Sequence, residues 1–171
     1  MINYKVIRKQ NNADMCIVCG TDNPFSLKAN FYDVEGYFVV GIVNAKNIHQ
    51  SYPGRMHGGI ITSLLDEAIG RAVQSFDPSL WAVTIELTTK YIKPVPLNSN
   101  LYVVGKLDTN PKRIFSGTGY ISDEEGNILA RATGKYMMMT VKQITGSDHL
   151  DHKQWKYIED HEELKEISLP E

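Results

Sequence analysis

The sequence of 171 residues has little of what stabilises small secreted proteins or membrane proteins. Its two cysteines cannot form a network of disulfides. The longest apolar stretch runs from Tyr37 to Val43 and includes Gly41, whereas a membrane-spanning helix needs about 20 apolar residues. The segment from Met1 to Asp14 is polar and charged and lacks the apolar region of a secretory signal. We therefore expect a protein of the reducing cytoplasm that has no membrane partner.

Neither sign of charge dominates the chain, which has 18 Lys and Arg against 20 Asp and Glu and a formal net charge of −2. Proteins that bind nucleic acids carry a basic excess, so we expect no nucleic-acid partner. The charge is unevenly distributed, because residues 142–171 hold four Lys against eight Asp or Glu. Residues 1–141 carry a net charge of +2, so the main part of the chain can accept an anionic ligand.

The apolar pattern predicts one long helix and about six strands. Residues 59–76 place apolar side chains on roughly 220° of the helix circumference, so this helix is expected to be wrapped by a curved sheet. The expected fold class is α+β, with a mostly antiparallel sheet around a central helix. Alternating or β-branched segments between turn residues predict strands over 27–33, 37–44, 81–92, 100–108, 113–122 and 128–140.

We predict three parts along the chain. Residues 1–26 form a lead-in, of which residues 1–15 are expected to be irregular or weakly helical. Residues 27–141 form the main domain. Residues 142–171 form an acidic tail, in which Asp151 to Ile167 is expected to be a short helix. The tail is expected to dock on a neighbouring part or to be solvated.

The lead-in contains the pair Cys16 and Cys19, separated by two residues and followed by a glycine. This pattern is half of a zinc site, but tetrahedral zinc needs four ligands and the chain has no second cysteine pair. His49 or His57 could complete such a site if the fold brings them near, or two copies of the chain could share one metal symmetrically. A structural turn before the first predicted strand is the favoured interpretation, and neither a metal nor a cofactor is predicted.

The predicted long helix starts at His57-Gly58-Gly59, without the Ser, Thr, Asp or Asn that usually caps a helix. The first backbone N–H groups of a helix have no acceptor within it, and glycine lets a ligand approach them closely. Because the helix dipole favours negative charge there, these amides could polarise a carbonyl oxygen. The alternative is that the two glycines allow tight packing of the helix on the sheet.

Two acidic residues follow within the helix and differ in their surroundings. Glu67 is expected to pair with Arg71, four residues later, on the wetter face. Asp66 lies at the margin of the apolar stripe, a position that suits a general base or a nucleophile. The alternative is a structural carboxylate that neighbouring N–H groups bind. Asp66 lies about 13 Å along the axis from the helix start, too far for both to act on one carbon. This geometry favours a dimer whose active site uses two copies of the chain.

Two motifs carry a resemblance to a known family. His57-Gly58-Gly59 precedes Leu65-Asp66-Glu67-Ala68, and Val83-Thr84-Ile85-Glu86-Leu87 leads to Tyr91-Ile92-Lys93-Pro94-Val95. Over about residues 16–140 the chain resembles the hot-dog-fold thioesterases of the phenylacetate-pathway, PaaI-like group. The resemblance implies a sheet around a central helix, hydrolysis of acyl-CoA thioesters, and dimers joined edge to edge that often pair into tetramers.

The resemblance also implies roles for individual residues. Asp66 matches the catalytic carboxylate, the Gly58 amide matches the donor to the thioester carbonyl with His57 beside it, and Thr84 matches a hydroxyl that places the attacking water. Many family members carry Asn six residues before the His, where this chain has Ser51, and Gln50 and His49 are candidates to compensate. The predicted substrate-binding residues are Gly59, Ser51, Gln50, Lys90, Lys93, Lys112 and Arg113. The cations among them would bind the coenzyme A phosphates, although they could equally be solvated surface charges.

Three functions remain open at this point. An acyl-CoA thioesterase is the leading hypothesis, with water attack by Asp66 as general base, or direct attack that gives an anhydride. A non-catalytic module that binds or senses acyl-CoA would keep the helix start but would not need Asp66. A hydratase or dehydratase on the same fold usually has a different local pattern from His57-Gly58-Gly59 and is less favoured.

Overall fold

The computed structural model describes residues 1–109, 111–148, 150–151, 154–160 and 163–170. One helix of 19 residues packs against an antiparallel sheet of eight strands. The predicted fold class is therefore confirmed, whereas the predicted count of about six strands is too low. The elements of the large sheet and its helix are β1 (Ile2–Lys9), β3 (Asn30–Val34), β4 (Phe38–Val43), α1 (Gly58–Phe76), β5 (Ala82–Tyr91), β6 (Leu101–Leu107), β7 (Ile114–Ser122), β8 (Ile128–Met138) and β10 (Glu166–Leu169).

The strands follow one another across the sheet in the order β10-β1-β3-β4-β6-β7-β8-β5. A second sheet pairs β2 (Asn12–Ala13) with β9 (Trp155–Lys156), and the short helix α2 covers Val141–Thr145. Strand β5, which follows α1 in the chain, therefore lies at one edge of the large sheet. The six strands predicted from the pattern all exist, with ends that differ by zero to three residues from the predicted ones.

The two extra strands come from segments for which no strand was predicted. The expectation that residues 1–15 are irregular or helical is wrong, because β1 pairs with both β3 and β10. In β1, Tyr4 and Val6 pack against a second apolar cluster that includes Val34 and Phe38. The charged residues that alternate with them conceal this apolar face in the sequence. The lead-in and the tail thus extend the same sheet as the main domain.

The central helix lies unusually close to the middle of the sheet. A Cβ atom at Gly105 on β6 would lie 2.1 Å from the Ala68 carbonyl oxygen, and Cβ atoms at Gly117 and Gly119 on β7 would collide with the Ile69 side chain. These three glycines therefore form a trough into which the helix sinks. The residues that α1 buries are Ile61, Leu64, Leu65, Ala68, Ile69, Arg71, Ala72, Val73 and Gln74.

The tail folds back over one end of the helix. A helix was predicted over 151–167, but the described residues of this range contain none, and Trp155 instead begins strand β9. The Trp155 ring lies 4.9 Å from the Trp81 ring, centroid to centroid, so the tail packs beside the start of β5. In the part of the chain that the structure describes, no helix combines the length and apolar character needed to cross a membrane.

Candidate active site

Asp66 lies in the middle of α1, half-buried, and faces the edge strand β5 and its neighbour β8. Its Oδ1 atom accepts a hydrogen bond from the Thr84 hydroxyl at 2.8 Å and another from the Tyr136 hydroxyl at 3.1 Å. Among the described residues, none donates a hydrogen bond to Oδ2. One carboxylate oxygen is thus held in place, while the other is available to a water molecule or to an electrophilic carbon.

Tyr136 is a site residue that the sequence did not indicate. Its side chain is 1% exposed and stacks on Phe115, with 5.4 Å between ring centroids. Burial, together with the nearby Asp66 carboxylate, raises the pKa of Tyr136 far above its usual range. The phenol therefore stays protonated and donates to Asp66. Its position follows from strand register, since Tyr136 on β8 lies directly opposite Thr84 on β5.

A cavity of about 520 Å³ opens beside Asp66 and Thr84. Apolar and aromatic side chains form much of its wall, including Val73, Leu80, Trp81, Leu150 and Trp155. A largely apolar pocket lined by a carboxylate with one unbound oxygen suits a substrate that has an apolar group next to its reacting carbon. None of the seven predicted substrate-binding residues lines this cavity.

The start of α1 differs from the expectation in one respect. His57 caps the helix, because its Nδ1 atom accepts a hydrogen bond from the Gly59 N–H at 3.0 Å. The prediction of an uncapped start is therefore wrong at Gly59. The Gly58 N–H, by contrast, has no acceptor among the described residues, while the Gly58 carbonyl accepts from the Tyr91 hydroxyl at 3.0 Å. Gly58 thus presents the free amide donor at the helix start.

A single chain does not bring this amide to Asp66. Asp66 is eight residues further along α1, which corresponds to about 12 Å along the helix axis. The two positions also contact opposite ends of β5, since Asp66 bonds Thr84 near the start of the strand and Gly58 bonds Tyr91 at its end. The free Gly58 amide and the Asp66 carboxylate are therefore two separate candidate half-sites within one chain.

The residues before the helix are engaged in local structure. His49 is buried, its Nδ1 accepts from the Lys46 N–H at 3.0 Å, and its Nε2 lies 3.1 Å from the Phe25 carbonyl oxygen. Because both ring nitrogens are bound, His49 holds the loop instead of facing either half-site. Gln50 accepts from the Gly54 N–H at 3.0 Å, and Ser51 is exposed. The roles predicted for Gln50 and Ser51 remain predictions.

The four predicted phosphate-binding cations are exposed and lie in two groups. Lys90 and Lys93 lie near the end of β5 that contacts Gly58, and Lys93 donates to the Asn127 side chain at 3.1 Å. Lys112 and Arg113 precede β7, near the other end of β5, because the Arg113 carbonyl accepts from Met138, which pairs with Ala82. Their role as phosphate ligands remains a prediction.

The residues that line the cavity also include Cys16, Cys19, Glu67 and Arg71. The predicted ion pair between Glu67 and Arg71 is present at 2.7 Å, but Arg71 is buried and does not lie on a wet face. The two cysteines are not joined in a disulfide. Hydrogen bonds onto the Cys16 sulfur, first from the Cys19 thiol, lower the pKa of Cys16 to about 7.

A long helix in the trough of a large antiparallel sheet is the expected hot-dog arrangement. Residues 53–130 match the family model of the thioesterase superfamily. The matched segment contains α1, Asp66 and Thr84, whereas Tyr136 lies beyond its end.

Several solved structures are similar to the chain. One thioesterase superfamily protein is 27% identical with a TM-score of 0.66, over 72% of this chain and 60% of that one. A hypothetical thioesterase from Streptococcus pneumoniae, solved with coenzyme A, is 25% identical with a TM-score of 0.56, over 60% of this chain and 82% of that one. The PaaI protein of E. coli shares the fold with a TM-score of 0.60 at 20% identity, over 66% of this chain and 80% of that one.

A curated relative matches a shorter segment. An uncharacterised protein of Schizosaccharomyces pombe is 43% identical over 53 residues, which are 31% of this chain and 30% of that protein. The chain therefore aligns with less than a third of that relative and with 60% of the first similar structure.

Proposed function

We propose that the protein hydrolyses an acyl-CoA thioester to the free acid and coenzyme A. The observation that carries this proposal is the Asp66 carboxylate, which lines the cavity with Oδ1 bound by Thr84 and Tyr136 and with Oδ2 free of donors from the described residues. The cavity would receive the acyl group. Coenzyme A in the similar pneumococcal structure supports this class of substrate.

In the proposed reaction, the thioester carbonyl oxygen accepts a hydrogen bond from the Gly58 N–H, which stabilises the oxyanion that forms there. Oδ2 of Asp66 then takes a proton from water, whose oxygen attacks the carbonyl carbon, or it attacks the carbon itself to give an anhydride that water later opens. In both routes the bond from carbon to sulfur breaks and coenzyme A leaves as the thiolate. Thr84 and Tyr136 keep the carboxylate oriented throughout.

The reaction requires Gly58 and Asp66 at one carbon, so the proposed active site joins two copies of the chain. Strand β5 supports this arrangement, because it is ten residues long and has no neighbour on its outer side among the described residues. An unpaired edge of this length readily pairs with a second chain. Antiparallel pairing of two β5 edges would place the Thr84 end of one copy beside the Tyr91 end of the other. Both half-sites contact this strand, so they would meet at such an interface.

The same interface would gather the predicted phosphate ligands. Lys90 and Lys93 of one copy would approach Lys112 and Arg113 of the other, because each pair lies near a different end of β5. Coenzyme A carries several phosphate charges, so this cluster would attract it. The two free cysteines agree with action in a reducing cytoplasm.

Hydrolysis is tested by measuring release of coenzyme A thiol from a panel of short, long and aryl acyl-CoAs. Turnover of at least one member supports the thioesterase. Tight binding of acyl-CoA by the wild-type protein, with no turnover of any member, would contradict the proposal and indicate a binding module.

Mixing two inactive variants tests the two-chain site. Gly58→Pro removes the free N–H, and proline suits this first helical position because His57 already has extended dihedral angles of −66° and 137°. Asp66→Asn removes the carboxylate. A mixed dimer should contain one site with both changes and one with neither, so co-expressed variants should recover about a quarter of wild-type activity at random assortment.

Two controls make this result specific. Each variant purified alone should stay inactive, and unfolding curves should show that both are folded. If both residues of a site came from one chain, every site in a mixed dimer would be defective. Co-expression would then restore no activity, and the two-chain arrangement would be wrong.

A further inference from the structure

The cysteine pair is not used by the proposed hydrolysis, yet it faces the same cavity. The Cys16 sulfur, the Cys19 sulfur and a carboxylate oxygen of Glu67 all lie within 4.8 Å of one another. Two thiolates and a carboxylate are ligands that Zn²⁺ accepts in tetrahedral sites, with bonds of about 2.0 to 2.3 Å. Small side-chain rotations would bring these three atoms around one ion.

Backbone hydrogen bonds fix the position of the Cys16 sulfur. The N–H groups of Val18 and Cys19 both donate to Cys16 Sγ at 3.3 Å, which fixes the orientation of this side chain. These amides belong to a turn in which the Gly20 N–H donates a hydrogen bond to the Cys16 carbonyl oxygen at 2.9 Å. A Cβ atom at Gly20 would lie 2.2 Å from that carbonyl oxygen, so the turn excludes every other residue there.

Arg71 orients the other two proposed metal ligands, Glu67 and Cys19. Its Nε atom donates to Glu67 Oε1 at 2.7 Å, and Nη2 donates to Cys19 Sγ at 3.0 Å. Nη1 binds the Gln10 side chain at 3.2 Å and the Asn11 carbonyl at 3.0 Å, so the guanidinium itself is fixed. Among the described residues, none donates to Glu67 Oε2, which stays available to an ion. Such outer partners commonly set the direction of metal ligands.

The charges also favour a divalent cation. A bound ion displaces the thiol protons, so the two resulting thiolates and the Glu67 carboxylate would carry −3, against +1 from the buried Arg71 guanidinium. An ion of charge +2 brings the total to zero, so no net charge would remain buried. Thiolate ligands select soft or borderline ions such as Zn²⁺ over Mg²⁺ or Ca²⁺.

We propose that Cys16, Cys19 and Glu67 bind a thiophilic divalent metal ion, Zn²⁺ or its substitute Co²⁺, with the fourth position open to the cavity. The sequence left open whether His49, His57 or a second copy of the chain could complete a site at this cysteine pair. His49 is bound within its own loop and His57 caps α1, whereas Glu67 on the neighbouring helix supplies the third donor. This site does not depend on the proposed hydrolysis.

Cobalt titration of the reduced, metal-free full chain tests the proposal. We expect one equivalent of Co²⁺ to bind, with the sulfur-to-cobalt charge-transfer band in the near ultraviolet and the intense visible bands of tetrahedral cobalt. Zn²⁺ should displace the Co²⁺ and remove these bands. Cys16→Ser should halve the charge-transfer band and weaken binding at least ~100-fold, and Glu67→Gln should weaken it ~10- to 100-fold.

Asp66→Asn is the matched control, because it neutralises the adjacent carboxylate on the same helix and should leave the cobalt spectrum unchanged. Cys19 is buried, so Cys16, which is half-buried, is the cysteine to replace. Binding of no Co²⁺ by the folded wild-type protein would overturn the proposal. So would a spectrum without sulfur bands, or one that Cys16→Ser and Glu67→Gln leave unchanged.

Discussion

Asp66→Asn is expected to lower kcat for acyl-CoA hydrolysis by about 10²- to 10⁴-fold while KM changes little. The asparagine keeps the size of the side chain, and its oxygen can still accept from Thr84 and Tyr136. The carboxylate that would activate water or attack the carbonyl is lost, however. The cavity and the helix start remain, so acyl-CoA should still bind. Steady-state kinetics with the best substrate of the panel give kcat and KM separately.

Glu86→Gln provides the matched control for this change. Glu86 lies on the same edge strand as Thr84, is exposed and pairs with Lys135 at 3.0 Å. Neutralising it alters the charge near the site without touching Asp66, so kcat should stay within about twofold of the wild-type value. If Asp66→Asn retained wild-type kcat, the role assigned to Asp66 would be wrong even if the protein proved to be a thioesterase.

Gly105→Ala is expected to destabilise the fold by about 3 kcal/mol or more. The added Cβ would lie 2.1 Å from the Ala68 carbonyl oxygen and 2.8 Å from the Ile69 nitrogen. Both are backbone atoms of α1, so no side chain can rotate to relieve the overlap, and the helix would have to lift off the sheet. Urea unfolding followed by circular dichroism measures the change in the free energy of unfolding.

Thr118→Ala is the control for this prediction. Thr118 on β7 pairs with Lys106 on β6. It lies between Gly117 and Gly119, which face the helix, so its side chain points to the other side of the sheet. Its loss should cost less than about 1 kcal/mol. Equal unfolding free energies for Gly105→Ala and the wild-type protein would show that the helix does not sit in a glycine trough.

Local patterns predicted the parts of the fold that depend on local properties. The apolar stripe of residues 59–76 predicted α1 to within one residue of its start, because helical periodicity is encoded within the helix itself. The turns at glycine and proline likewise delimited the six strands. Resemblance of short motifs then connected Asp66 with Thr84, and the structure joins them at 2.8 Å. Their catalytic roles remain to be measured.

Other features could not be read from neighbouring residues. Tyr136 reaches Asp66 across 70 positions of the chain, through the register of β8 on β5. Strand β1 joins the sheet by pairing with β3, and β10 joins it by pairing with β1, although both segments carry mixed charged and apolar residues. His57 caps α1 through a rotation of its ring, which no spacing rule specifies.

The sequence by itself determined the long helix, the sheet-forming segments and the position of one acid on the helix margin, because each depends on periodicities of two or about 3.6 residues. Tertiary structure alone decided which side chains meet: Tyr136 with Asp66, Arg71 with Cys19, and Glu67 with the cysteine pair. These contacts depend on strand register and on how deeply the helix sinks into the sheet. Both are set by packing over the whole domain.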